Sequence, residues 1–341
     1  FVLAASLSMI PAVLLLAYFR WGPGRKKWAR AEKIGIAVNL AASAALLIVL
    51  FYGKSLGAAT TRITLRNEDG QTVERVIPKS EFRKSFAVFF FENRTKDPSQ
   101  DWLQYAIPRL LELDLAQDLF LNTSVAYDFV DPIQAAGFQD GLRLPLTLMN
   151  KIARDAHLRY FVSGSFSKAG EDLVLEAAIH ETRRATEVDK SEIRGRDLFS
   201  LTDRLSLEIR RGLEIPERHL EEVKDLPVSE LATASARAFE SYMDGVNAMV
   251  FERNWDTALQ GFERAVSEDP TFVFPYYEIQ RLAAVTNQRE KRDRAFQSLM
   301  QNLYKLPDRQ QYLIKSAYYA FKGDREKQIA VLKMMVELSP E

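Results

Sequence analysis

The chain contains no cysteine. Disulfides, thiolate metal sites and cysteine nucleophiles are therefore excluded. Histidine is scarce too, with only His157, His180 and His219. None has a second histidine or a carboxylate at metal-ligand spacing, so a zinc centre is not expected. The phosphate-cradling patterns G-x-G-x-x-G and G-x-x-x-x-G-K-[ST] do not occur, and no serine sits in G-x-S-x-G. Acid clusters such as Glu112/Asp114 and Glu221/Glu222 read as solvated faces. The expectation is a non-enzyme, with no catalytic residue, cofactor or metal in these 341 residues.

Net charge is also missing: 46 basic residues balance 46 acidic ones. The balance hides an asymmetry. Residues 1–54 hold seven basic residues and one acid, which leaves 39 basic and 45 acidic residues for 55–341. A body with that acid excess offers no basic face for nucleic acid. Two runs, 1–19 and 34–53, carry no charge at all. Each has about the length of a bilayer-spanning helix. Between them, residues 20–33 hold six basic residues and one acid. Short basic loops stay cytoplasmic, so two transmembrane helices over 1–53 are expected. That places the protein in a bacterial inner membrane, in contact with the lipid bilayer, with residues after about 54 in the periplasm. A buried hairpin of two apolar helices is the alternative. Ala37, Ala41 and Ala45 form a small-residue stripe that suits packing of the two spans or a homodimer. The chain starts on Phe1 and stops just after Pro340, and is read as a piece of a longer protein.

Beyond the apolar runs, Thr60–Leu65 and Thr72–Ile77 alternate around Asn67-Glu68-Asp69-Gly70, the pattern of a hairpin. It lies in a juxtamembrane segment over 54–83. Residues 86–91, FAVFFF, predict a buried strand, with Phe89 and Phe91 on one face and Phe90 on the other. Leu103, Ile107, Leu110, Leu111, Leu115 and Leu119 predict an amphipathic helix. Pro108 suggests that it starts there or kinks. Further elements are strands over 120–128, 158–166, 173–179 and 187–193, and helices over 146–156 and 198–213. That order predicts an α/β sandwich with a mixed sheet.

Three pieces carry a resemblance. Phe86–Asn93 with Asp97-Pro98, Tyr160–Phe166 with Gly170, and Asp197–Leu201 resemble, in order, the first strand and loop, a later strand and hairpin, and the last-helix start of TolB amino-terminal-like domains. The match covers about residues 84–215. The resemblance implies a binding or assembly module without catalysis, and relatives often carry several membrane spans with a basic loop before the last. At Tyr105-Ala106-Ile107 the chain departs from the family, which usually has a glycine there. Gly164 reads as a point of close backbone approach rather than a phosphate site.

After a linker over 216–232, residues 233–341 show a repeat. Trp255, Ala258, Phe262, Ala265 and Pro270 have the spacing of a tetratricopeptide second helix and its closing proline. Pro270, Pro307 and Pro340 lie 37 and 33 residues apart. The array is expected to continue past Glu341. In such repeats the first helix of each pair lines a concave groove. Resemblance puts Glu240, Met243, Asn247 and Val250 of the first copy there, and Phe274, Tyr277, Arg281 and Ala284 of the second. Met243, Asn247, Val250, Phe274, Tyr277 and Arg281 are the candidate partner-binding residues. The lining lacks the lysine cluster that clamps a terminal carboxylate, so an extended or helical peptide with apolar anchors fits better, oriented by Arg281. Coverage of Phe274 and Tyr277 by the protein's own chain is the competing reading.

The expected fold class is thus α/β plus all-α: two transmembrane helices, an α/β sandwich, then a tetratricopeptide array. The expected function is a membrane-anchored, extracytoplasmic protein-interaction scaffold or sensor. The alternatives are the sensory or output half of a signalling protein with an upstream nucleotide cyclase, kinase or DNA-binding domain, and an envelope assembly factor.

Overall fold

The structure is a computed structural model. It describes residues 30–51, 59–222 and 225–338, together with Ser8, Ile10, Pro11, Val13 and Leu14. The chain forms two compact units, one ending at Thr61 and one beginning at Arg62.

In the first unit, α1 runs Arg30–Phe51, 22 residues. Ser43 is buried and donates a hydrogen bond to the Ser8 carbonyl at 2.9 Å. Among the described residues no helix is long and apolar enough to cross a membrane. This overturns the expected pair of transmembrane helices. The bilayer contact, the inner-membrane location and the periplasmic placement fall with it. α1 opens on Arg30, Glu32 and Lys33 and carries the amide of Asn39 midway. A bilayer core of roughly 30 Å asks for about 20 predominantly apolar residues in succession. The remainder of the 1–19 run, the loop through Ala29, residues 52–58 and Pro340 lie outside the described residues.

β1 (Thr60–Arg66), which begins two residues before the second unit, pairs with β2 (Thr72–Pro78) in a two-stranded sheet. Asn67 ties the turn: its Oδ1 accepts from the Gln71 and Asp69 amides at 2.8 and 3.1 Å. Gly70 has φ +78°, which a side-chain-free residue adopts without strain.

The main sheet comprises β3 (Lys84–Val88), β4 (Glu92–Asn93), β5 (Leu121–Val125), β6 (Tyr160–Ala169), β7 (Asp172–Glu181) and β8 (Thr186–Gly195). Its order is β5-β3-β6-β7-β8, with β4 extending the β3 side of β6. β3 runs parallel to β5 and β6, whereas β6, β7 and β8 are antiparallel, so the sheet is mixed. The helices interspersed with it are α2 (Leu103–Leu115), α3 (Val130–Ala135), α4 (Leu146–Asp155) and α5 (Leu198–Gly212). α4 packs on β6, and α5 packs on β7, β8 and α2.

The apolar run 86–91 is buried throughout, but the strand stops at Val88. Strict alternation therefore ends too early for the expected facing. Phe89 and Phe90 share one cluster with Ala87, Ile133, Met149 and Phe161. Phe91 instead presses on β6: a Cβ on Gly164 would meet its ring at 2.2 Å.

Pro108 neither starts nor ends α2; it sits inside it. A proline has no N–H for the carbonyl four residues back. Here that carbonyl belongs to Gln104, and it accepts from the Phe91 amide at 3.0 Å. The gap in the helix ladder is used to anchor the end of the core segment.

A connecting stretch with α6 (Glu217–Glu222) and α7 (Val228–Leu231) leads to helix pairs: α8 (Ala236–Val250) with α9 (Trp255–Glu268), α10 (Val273–Val285) with α11 (Arg289–Gln301), and α12 (Asp308–Lys322) with α13 (Arg325–Leu338). Ser235 and Asn254 cap α8 and α9 by accepting from amides three residues on. α8 and α9 touch backbone to backbone, because a Cβ on Gly261 would lie 2.6 Å from the Gly245 nitrogen.

The β1–β2 hairpin seats on the last pair. Leu65 and Ile77 join Tyr312, Val331, Met334 and Leu338 in one apolar cluster. Lys315 bonds to Glu68, Lys327 Nζ lies 2.9 Å from Asp69, and Arg83 donates to the Leu338 carbonyl at 2.7 Å.

Candidate partner-binding surface

The six groove candidates come from α8 and α10. Helical spacing puts Met243, Asn247 and Val250 along one stripe of α8, and Phe274, Tyr277 and Arg281 along one stripe of α10. Their surroundings differ. Met243 and Phe274 are 1% and 5% exposed and belong to the core. Val250 and Tyr277 are half-buried, and Arg281 is exposed. Asn247 is engaged by the α/β part of the chain: the Tyr127 hydroxyl donates to its Oδ1 at 2.6 Å.

That bond belongs to a broad internal contact. Phe251, just after α8, packs against Phe90, Tyr105 and Tyr127 with ring centroids 6.0, 5.8 and 5.7 Å away. On α2, Arg109 donates to Glu112 at 2.8 Å and to the Tyr242 hydroxyl at 3.0 Å. Glu278 of α10 acts on the same guanidinium through space. Burial raises the carboxyl pKa of both Glu112 and Glu278, and nearby arginines oppose that rise only in part. On this side α2 occupies the space beside α8 that an external peptide would need.

The face of α10 is freer. Arg281 donates to Glu278 at 2.8 Å, and its guanidinium carbon lies 5.7 Å from the centre of the Tyr277 ring. A cation is thus held over an aromatic face, in a fixed orientation.

Folding also assembles two polar constellations from residues far apart in the sequence. Ser163 Oγ lies 2.9 Å from His180 Nε2, across the β6–β7 pairing. The imidazole stacks on Phe161, and burial lowers its pKa against the opposing pull of Glu187. A serine nucleophile also needs an orienting group on the second imidazole nitrogen and an oxyanion hole. Among the described residues no carboxylate hydrogen-bonds His180. The pair floors a cleft of about 410 Å³ rimmed by Arg94, Arg143 and Lys190.

The second constellation is Arg210, nine-tenths buried on α5. It meets Asp225 at 2.7 Å, Asp114 at 3.3 Å and Asp118 at 3.6 Å. His219 lies 2.9 Å from Asp118. Burial lifts the Asp114 pKa to about 6. These groups fasten the connecting stretch to the α/β part. Among the described residues no group of three or more His, Asp and Glu is arranged to hold a metal ion.

Sequence reasoning missed Arg109, Tyr127 and Phe251. One signal was present for the first: Arg109 is the lone cation in the otherwise apolar and acidic α2 segment.

No protein-family model matches the chain. No curated protein matches it either. Similar solved structures include the C-terminal domain of LpoB from Salmonella enterica, 17% identical over 33% of this chain and 82% of that one, with a TM-score of 0.26. TolB from Acinetobacter baumannii is 9% identical over 45% of this chain and 31% of its own, with a TM-score of 0.27. A lipoprotein of Neisseria meningitidis is 11% identical over 39% and 99%, with a TM-score of 0.29. Likeness at that level carries no inference about what this chain binds.

Proposed function

We propose that the protein is a non-catalytic interaction module, an α/β domain joined to a tetratricopeptide-type array, and that it holds a protein segment on the open face of α10. The observation that carries this reading is the Tyr277–Arg281–Glu278 arrangement. An aromatic ring and a guanidinium are oriented together at a surface, over a buried carboxylate. Tyrosine and arginine are the side chains most often responsible for interface affinity. The α8 half of the expected groove is engaged internally, so the bound segment is short and centred on α10.

The test is site-specific photo-crosslinking. A crosslinker at Ala284, exposed and one turn beyond Arg281, captures the partner, and one at the exposed Gln260 on α9 does not. Tyr277→Ala combined with Arg281→Gln, which keeps a hydrogen-bond donor beside Glu278, lowers the yield about tenfold or more, while the chain keeps a cooperative unfolding transition. Equal yields from both positions, or an unaffected yield in the double variant, defeat the proposal.

A further inference from the structure

A second surface of the array has unsatisfied chemistry of a different kind. Arg289 and Arg292 stand in the first turn of α11, at successive positions of one face. Both guanidiniums lie over the Phe321 ring at the end of α12, with carbon-to-centroid distances of 5.8 and 4.9 Å. Arg292 also lies 5.5 Å from the centre of Phe296. Lys322 adds a third cation, 5.3 Å from the Phe321 centroid. Acid is scarce among them. Asp293 accepts from Lys322 at 2.6 Å and from Gln297 at 3.1 Å. Neither the Arg289 nor the Arg292 guanidinium forms an ion pair or hydrogen bond among the described residues, although Glu290 and Asp293 are their sequence neighbours. The Arg292 Nε is buried without an acceptor.

The fold gains little from this arrangement. Cations in the first turn oppose the helix dipole, and like charges so close repel. The contact with Phe321 uses no N–H donor, so the terminal guanidinium nitrogens of both arginines keep theirs for a ligand. A pair of such donors matches a carboxylate with two parallel bonds. We infer that Arg289, Arg292 and Lys322, braced on Phe321, form a docking surface for an acidic protein segment, its Asp or Glu carboxylates paired with the two arginines.

Charge complementarity selects that partner over nucleic acid. A single-stranded oligonucleotide needs a basic track and open rings for its bases. Phe296 is fully buried and Phe321 is covered by cations, so neither ring is open to a base. The surface is separate from the Tyr277–Arg281 face, and the inference does not depend on the groove.

The test uses the full chain and a fluorescein-labelled peptide rich in Glu and Asp, with its Gln/Asn counterpart as control. At about 50 mM salt, where such pairs are weakly screened, the acidic peptide binds and the control does not. Arg289→Ala with Arg292→Ala lowers the affinity about tenfold or more, consistent with loss of two charge-assisted contacts, while the melting temperature is kept. Tyr277→Ala with Arg281→Gln leaves this binding unchanged, which separates it from the groove. If the double variant unfolds, Arg289→Gln alone, at an exposed position, lowers the affinity about threefold or more. Absence of acidic-peptide binding, equal binding by the variants, or tighter binding of an oligonucleotide or of phosphatidylglycerol vesicles overturns the proposal.

Discussion

The helical array is held to the rest of its unit at two places, and they are built differently. At the α8 end, attachment is internal. Four aromatic rings, Phe90, Tyr105, Tyr127 and Phe251, meet there, and a partly buried guanidinium bonds the Glu112 carboxylate and the Tyr242 hydroxyl. At the α13 end, the β1–β2 hairpin contributes a small apolar cluster. One of its ion pairs reaches the surface, Lys327 and Asp69 being 39% and 60% exposed, whereas Lys315 and Glu68 are 23% and 8% exposed. The first contact excludes water, so it fixes geometry and every polar group in it needs a partner. In the second, the Lys327–Asp69 pair is screened by solvent, so it sets register more than strength.

Removing the centre of the inner contact separates the two most sharply. Arg109→Ala leaves Glu112 buried without its cation and removes one of the two arginines that act on Glu278, which costs about 3 kcal/mol in urea unfolding. Adding Glu112→Gln and Glu278→Gln restores a large part of that loss. A cost below about 1 kcal/mol shows that the network is solvated and the contrast false.

Acid moves the two contacts in opposite directions. At the inner one, burial raises the folded pKa values of Glu112 and Glu278, and beside the connecting stretch, on the same helix as Glu112, it raises that of Asp114. The folded state then binds more protons than the unfolded one. Stability is therefore highest below the unfolded pKa and is lost as pH rises through the folded value. Asp114, at about 6, contributes about 1 kcal/mol of extra stability on going from pH 7 to pH 5. Asp114→Asn removes that part of the slope. At the outer contact, the hydrogen bond and charge of Lys327 lower the Asp69 pKa. That stability is present above the unfolded pKa and is lost as pH falls through the folded one. Protection of the β1–β2 amides, corrected for the intrinsic exchange rate at each pH, should fall below about pH 4 while that of the α2 amides does not. Matched behaviour of the two sets removes the distinction.

The smallest effect tests the outer pair directly. Lys327→Ala leaves global unfolding unchanged at high salt and loosens only the hairpin at low salt, as read by exchange of the β1–β2 amides. A change in global unfolding that persists at high salt assigns the hairpin a larger part.

Local elements are legible in the sequence because each has its own short-range cause. The run 86–91 is buried, α4 occupies Leu146–Asp155, and α5 begins after its cap at Asp197, all close to where side-chain periodicity puts them. Gly164 is readable as a close approach because glycine weakens a strand interior and persists there where a side chain would collide with a neighbour. Periodicity tells which side of an element is apolar. It does not tell what covers that side. So Phe90 turns toward Phe251 rather than across the sheet, and Pro108 stays inside α2 because the Phe91 amide takes the carbonyl it leaves open. The apolar run of 34–53 likewise has the composition of a bilayer span, since composition alone cannot distinguish an apolar helix that crosses a membrane from one that does not. Half the candidate groove is decided the same way. Spacing places Asn247 and Tyr277 on matching stripes, and only the fold engages the first with Tyr127 and leaves the second beside Arg281. Sequence determines the local elements, through backbone geometry and amphipathic spacing. Which faces remain available depends on contacts between residues more than a hundred positions apart, and local patterning carries no record of them.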